Sequence, residues 1–275
     1  MNWASSIRSS LKLATLLLLL GYALLLGVFL VIGSKLVAPN RARQARQALT
    51  AHWFAGLARV LSLRITVHGA PSDTPALIVA NHISWLDIVA LNSVLPLRFI
   101  AKAEVANWPL IGWLARQCET LFLRRGQGTS SKQLCDDIVV SLQNGDRVVL
   151  FPEGTTSNGV RPRRFHPRLF QAALNTDRPV QPVAIRYPDR DGDGRGMNPL
   201  APFVDEDTLL RHLLALLKAE SLCIELFFMA PITATGTRTA LCQATANAIR
   251  AAIDHAESGV KCPEITPENP ACPST

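Results

Sequence analysis

The sequence predicts an α/β fold: a single domain with a mixed, mostly parallel sheet flanked by helices, preceded by an N-terminal membrane-anchoring helix and an amphipathic helix. Three observations predict it. Short apolar runs alternate with helical patterns from Leu63 onward. Two of those runs stop at polar residues, Ala76–Ala80 at Asn81-His82 and Arg147–Phe151 at Pro152-Glu153-Gly154, as buried strands of an open sheet do. The third is Leu13–Ile32, which carries no charge and a single Thr.

At 1.5 Å per residue that last run reaches about 30 Å, the thickness of a bilayer's hydrocarbon core. A signal peptide is the rival reading, because Arg8 and Lys12 precede the run. The run is longer than an ordinary signal core, and Leu36 spoils the small-x-small cleavage pattern in Gly33–Pro39. A retained anchor is preferred. It either spans the bilayer or dips into one leaflet. Charge supports an anchor. Residues 1–72 hold eight basic side chains and no acid, while the remainder has 20 basic residues against 21 acids. A uniformly basic nucleic-acid binder is thereby excluded. Lys35, Arg41, Arg43 and Arg46 follow the run, which favours a cytoplasmic C-terminal side at the inner (plasma) membrane.

Asn40–Leu61 comes next, with Ala42, Ala45, Leu49, Trp53 and Leu57 at helical spacing. It reads as an amphipathic helix, on the membrane surface or packed on the domain. Residues 1–62 thus form the anchor unit (hydrophobic segment 13–32) and 63–258 the domain. Strands are expected at Arg64–His68, Ala76–Ala80, Arg98–Lys102, Thr120–Arg124, Arg147–Phe151, Val180–Tyr187 and Leu222–Phe228. Helices are expected near Pro109–Gln117, Ser130–Gln143, Pro167–Asn175, Thr208–Ala219 and Thr237–Ala256. Residues 259–275 hold four prolines without periodicity and read as a disordered tail. The six cysteines are scattered, with neither a disulfide framework nor zinc-ligand spacing.

Three features carry chemistry. His82 follows a strand, with Asp87 five residues on. Such a carboxylate can bond one ring nitrogen and leave the other to take a proton from a hydroxyl. The plainer alternative is a loop histidine with Asp87 as a helix cap. Phe151–Ser157 (FPEGTTS) also leaves a strand, placing a carboxylate beside hydroxyls and loop amides that suit a polyol or an anionic headgroup, or forming a capped turn. Arg124, Arg125, Arg161, Arg163, Arg164 and Arg168 cluster in a domain without net positive charge. They suggest an anionic ligand, or a solvated basic face.

Together these motifs resemble the glycerophospholipid acyltransferase family, in particular bacterial 1-acylglycerol-3-phosphate acyltransferases. N-H-x-x-x-x-D is matched by Asn81, His82 and Asp87. The strand ending in Arg is matched at Leu121–Arg125, F-P-E-G-T at Phe151–Thr155, and the Pro-containing strand at Val180–Ala184. The resemblance implies a membrane-bound enzyme moving a fatty acyl group from an acyl thioester to the free hydroxyl of a lysophospholipid. The first expectation is 1-acylglycerol-3-phosphate giving phosphatidic acid. His82 would be the general base and Asp87 its orienting partner, while Arg125, Glu153, Gly154, Thr155 and Arg164 would hold the acceptor's polar end. Acyl-CoA or acyl carrier protein is the expected co-substrate, with membrane lipids as surroundings and neither metal nor other cofactor.

Two departures bear on the acceptor. Family members using lysophosphatidic acid often carry Arg after F-P-E-G-T, and Thr156 stands there. Their Phe-Lys-x-Gly is here Phe165-His166-Pro167-Arg168. Such variants resemble the branch that acylates lyso-ornithine lipid or other lysolipids, the alternative reading. A non-catalytic lipid-binding adaptor and a lysolipid hydrolase are the rivals from other classes. Asp189–Gly194 mimics a calcium loop, but Leu200 occupies the position that needs Glu. Ser84 has no G-x-S-x-G elbow around it. His166 and His212 have no ligand-spaced partners.

Overall fold

The apolar runs become seven strands: β1 (Leu63–Gly69), β2 (Leu77–Ala80), β3 (Arg98–Lys102), β4 (Leu121–Leu123), β5 (Val148–Leu150), β6 (Val180–Arg186) and β7 (Leu222–Phe228). They form one sheet in the order β1-β7-β6-β2-β5-β3-β4. Neighbours pair parallel except β6 with β7, which are antiparallel. The sheet is therefore mixed and mostly parallel, as expected. A computed structural model describes residues 3–33, 38–123, 128–189, 196–204 and 207–258. Arg124, Arg125, most of the Asp189–Gly194 loop and the 259–275 tail lie outside the described residues.

Eight α-helices are described: α1 (Trp3–Gly33), α2 (Pro39–Val60), α3 (Leu86–Val94), α4 (Ile111–Gln117), α5 (Gly128–Gln143), α6 (Gln171–Leu174), α7 (Leu209–Lys218) and α8 (Arg238–Glu257). Thr208 and Thr237 start α7 and α8 by accepting the amides of Arg211 and Ala240, which satisfies donors that a helix start leaves free. Residues expected in one helix from Pro167 form a 3₁₀ turn, Arg168–Phe170, running into the short α6.

Alternation along the strands divides the core into two layers. Ile78, Ala80, Val149 and Ile185 face a cluster with α2, α3 and α7. Leu77, Val79, Val148 and Ala184 face the cluster of α5, α6 and α8. Leu16 of α1 and Leu57 and Ala58 of α2 belong to the first cluster. The N-terminal helices thus share the domain's core. Trp53 Nε1 donates to Leu19 O at 3.0 Å, joining α2 to α1. Gly27 lies against Trp113, and a Cβ there would meet the indole ring at 2.2 Å. At the other end of α1, Arg8 and Lys12 donate to the carbonyls of Lys218 and Ala219, just where α7 ends.

Several cations expected to serve the membrane are engaged with the domain instead. Arg43 pairs with buried Asp146 at 3.2 Å, Arg46 with Glu119 at 3.0 Å, and Arg8 with Glu220 at 3.0 Å. The outward face of α1 is apolar and uncovered, with Leu11, Leu17, Leu18 and Leu25 exposed. Its Ser6–Val28 stretch is long and apolar enough to cross a membrane.

Candidate active site

The chain leaves β2 to one side of the sheet and β5 to the other, so their adjacent C-terminal ends form a switch point, where open α/β sheets place ligand sites. Register then decides who meets whom. Val79 pairs with Leu150, and continuing by three residues sets His82 opposite Glu153. The two are 71 positions apart in sequence, yet His82 N donates to Glu153 Oε1 at 2.8 Å.

Asn81 explains how the chain leaves the sheet. Its side chain is buried, donates to Ile185 O at 3.0 Å and accepts from Ile185 N at 2.8 Å. It substitutes for a ladder peptide, so the main chain can turn away without orphaning β6.

His82 is held from every side. Its carbonyl accepts from Ser157 N at 2.8 Å and Ser157 Oγ at 3.1 Å. Its ring stacks on Phe151, with centroids 4.0 Å apart and planes at 14°. Its Nδ1 lies 2.8 Å from Asp87 Oδ2, and 17 % of the side chain remains exposed. Asp87, wholly buried in the first turn of α3, also accepts from Ile83 N at 2.7 Å and Ser84 N at 3.0 Å. Tyr187 completes the set, donating to Oδ1 at 2.5 Å. Four donors converge on one carboxylate, and as an acceptor it requires the proton of the His82 ring on Nδ1. Nε2 is then the nitrogen with a free lone pair. Burial, foremost, and then the Asp87 charge push the Tyr187 hydroxyl well above the usual phenol range, so it stays a donor.

Glu153 is buried too. Its Oε2 accepts from Arg163 N at 2.8 Å, so each oxygen takes a main-chain amide. Burial raises its pKa, and these two amides oppose the rise. What the carboxylate visibly does is tie the β5 loop to the main chain of His82. Gly154, with φ +70°, turns the loop outward in the left-handed region where glycine is at ease. Gly154 and Thr155 are exposed at its tip, and Arg161 and Arg164 are exposed beyond it. Thr156 Oγ1 donates to Phe203 O. Of the expected residues, the fold brings His82, Asp87 and Glu153 together, with Gly154 and Thr155 on the same loop. Arg125 lies outside the described residues.

Three residues join the site from outside the expected set: Ser157, one of the hydroxyls of the Phe151–Ser157 motif, Tyr187 at the end of a motif strand, and His212. His212, set aside in the sequence, accepts from Trp85 Nε1 at its Nδ1 (2.9 Å), and its Nε2 is 2.8 Å from Leu200 O. Trp85 lies between His82 and Asp87, so α7 braces the loop from β2 into α3. Ser84 is fully buried, out of a substrate's reach.

The His82–Asp87 pair follows β2, and Glu153 joins it from the exit of the parallel neighbour β5; comparison with known proteins gives the class of protein to which this arrangement belongs. The acyltransferase family model matches residues 64–186. The lyso-ornithine lipid O-acyltransferase of Pseudomonas aeruginosa is 43% identical over 209 residues, 76% of this chain and 79% of that protein. The 1-acyl-sn-glycerol-3-phosphate acyltransferase of Neisseria meningitidis serogroup B is 35% identical over 139 residues, 50% of this chain and 54% of that one. The crystal structure of the 1-acyl-sn-glycerophosphate (LPA) acyltransferase of Thermotoga maritima shares the fold, with a TM-score of 0.70 at 22% identity, over 94% of this chain and 99% of that one. The chain belongs to the glycerophospholipid acyltransferase family.

Proposed function

We propose that this enzyme transfers a fatty acyl group from an acyl thioester to the free hydroxyl of lyso-ornithine lipid. His82 Nε2 takes the hydroxyl proton as the oxygen attacks the thioester carbonyl. The tetrahedral intermediate collapses, the C–S bond breaks, and the thiolate of coenzyme A or acyl carrier protein leaves with the proton returned by His82. Asp87 orients the ring and stabilises the imidazolium. Glu153 works through His82 by holding its main chain. In this reading Gly154, Thr155 and Arg164 hold the acceptor's polar end, with Arg125, which the family resemblance assigns to the same role. No acyl-enzyme intermediate is needed.

The observation that carries the acceptor reading is Thr156. It stands where the resemblance expects an arginine in enzymes that use lysophosphatidic acid, and its hydroxyl is turned into the protein toward Phe203 O. The Pseudomonas relative supports the same acceptor. The second reading is 1-acylglycerol-3-phosphate, giving phosphatidic acid. Exposed Arg161, Arg163 and Arg164 beside the loop favour it, as does the neisserial relative.

We place the enzyme at the inner membrane with the domain in the cytoplasm. Both ends of α1 are tied to the domain while its outer face is bare leucine, a pattern that suits a helix lying in one leaflet.

Purified protein given lyso-ornithine lipid and lysophosphatidic acid, each with acyl-CoA and acyl carrier protein donors, tests the reading. Lyso-ornithine lipid is expected to have the higher kcat/KM, and preference for lysophosphatidic acid overturns that choice. His82→Ala is expected to lower transfer about 10²–10⁴-fold without changing membrane fractionation. Bound acceptor without product would mark an adaptor, and released fatty acid a hydrolase.

A further inference from the structure

A groove of about 660 Å³ opens between the start of α1 and the end of α2, lined by Ile7, Arg8, Leu11, Lys12, Arg59 and Val60. Its volume is in the range of small-molecule sites. Ile7, Arg8, Leu11 and Lys12 share one face of α1 because they are spaced three and four residues apart. The walls divide by chemistry. Ile7, Leu11 and Val60 are apolar and Arg8, Lys12 and Arg59 are cationic, with Arg8 paired to Glu220 outside the lining. Lys12 spends one of its donors on Ala219 O. Arg59 is exposed. The groove therefore holds a net positive charge beside apolar walls, next to a helix whose exposed face is leucine.

Sheet topology fixes which end of the molecule this is. Ser62, also in the lining, precedes β1. β1 runs parallel to β7 and β7 antiparallel to β6, which is parallel to β2. The start of β1 thus lies at the same end of the sheet as the exit of β2, where His82 sits. Three strand spacings, about 14 Å, separate them. A ligand in this groove would lie beside the catalytic edge without reaching the His82–Asp87 pair.

We propose that this groove binds the anionic phosphate headgroup of a diacyl bilayer lipid, with Lys12 and Arg59 on the phosphate and the upper acyl chain along Ile7, Leu11 and Val60. An amphipathic ligand suits the groove because its lining combines cations with apolar side chains. The lipid is distinct from the acceptor and sets the height of the catalytic edge at the leaflet.

Full-length protein in detergent, examined by native mass spectrometry with dioleoyl phosphatidylglycerol or dioleoyl phosphatidylcholine, tests this. One retained phosphatidylglycerol is expected, with phosphatidylcholine held more weakly. Arg59→Gln should weaken retention about fivefold, the scale of one basic residue at an anionic surface. Arg41→Gln is the charge-matched control: Arg41 is exposed on the same helix, about 27 Å away along its axis, and the variant should retain the lipid. Lys12→Gln provides a second variant, expected to behave like Arg59→Gln. Equal loss in the Arg59 and Arg41 variants would mean diffuse attraction and overturn the site. So would equal retention of the two lipids, or no retention of either.

Discussion

Tyr187 donates its hydroxyl to Asp87 Oδ1 at 2.5 Å, across 100 positions of sequence and from the end of β6. The contact completes a carboxylate whose other oxygen already receives His82 Nδ1 and two loop amides. Asp87 can therefore neither turn nor withdraw from the ring it orients.

Tyr187→Phe removes that donor from a fully buried pair. Stability is expected to fall by about 1–3 kcal/mol, the range for leaving a buried polar partner unmatched. kcat should fall with KM little changed, since the tyrosine acts through Asp87. Thermal unfolding and steady-state kinetics on the same preparation check both, and an unchanged kcat would remove Tyr187 from the catalytic relay.

Glu153 has a pKa raised chiefly by burial. A carboxyl group raised in the folded state favours folding most when protonated, so this contribution is full below its unfolded value and lost as pH rises through the folded one. The Glu153→Gln variant has no such titration, so its stability should show less of that decline. It cannot accept from both His82 N and Arg163 N, because its amide nitrogen would face one of these donors. Activity should therefore drop at every pH. Denaturation midpoints across the acid range, compared with the wild type, provide the check.

The Trp85–His212 bond links α7 to the loop carrying His82 at 2.9 Å. Trp85→Phe leaves Nδ1 of His212 without its donor and should lower kcat about fivefold, the rate equivalent of ~1 kcal/mol. His212→Gln keeps an acceptor and a donor on one side chain and should retain more activity than His212→Leu. Equal activity of the two His212 variants would reduce the residue to filling space.

Thr156 offers a direct test of acceptor choice. Thr156→Val should cost about 1 kcal/mol through the lost bond to Phe203 O and leave the acceptor ratio alone. Thr156→Arg should raise kcat/KM for lysophosphatidic acid relative to lyso-ornithine lipid. An unaltered ratio in the arginine variant would show that this position does not read the acceptor.

The site was largely legible because its chemistry is written at strand exits. Apolar runs ending at Asn81-His82 and Pro152-Glu153 mark the two strand exits of the site, and short spacing brings Asp87 to His82. The contacts that hold the pair were not legible. Tyr187 and His212 reach it from elements distant in sequence, and nothing in their own surroundings distinguishes them from ordinary strand and helix residues. Glu153 shows the limit differently. Its place in the motif was plain, but the parallel register of β2 and β5 points its carboxylate at the main chain of His82.

Residue type and local spacing alone mark the element order, the long apolar N-terminal helix, the acid-free basic segment and the His82–Asp87 pair. Tertiary structure decided where the basic charge acts. Arg8, Arg43 and Arg46, which look in sequence like one membrane-holding set with Arg59, pair instead with Glu220, Asp146 and Glu119. An unpaired charge count cannot anticipate this: the acids stand between 73 and 212 residues along the chain from their partners, and only folding brings them within reach.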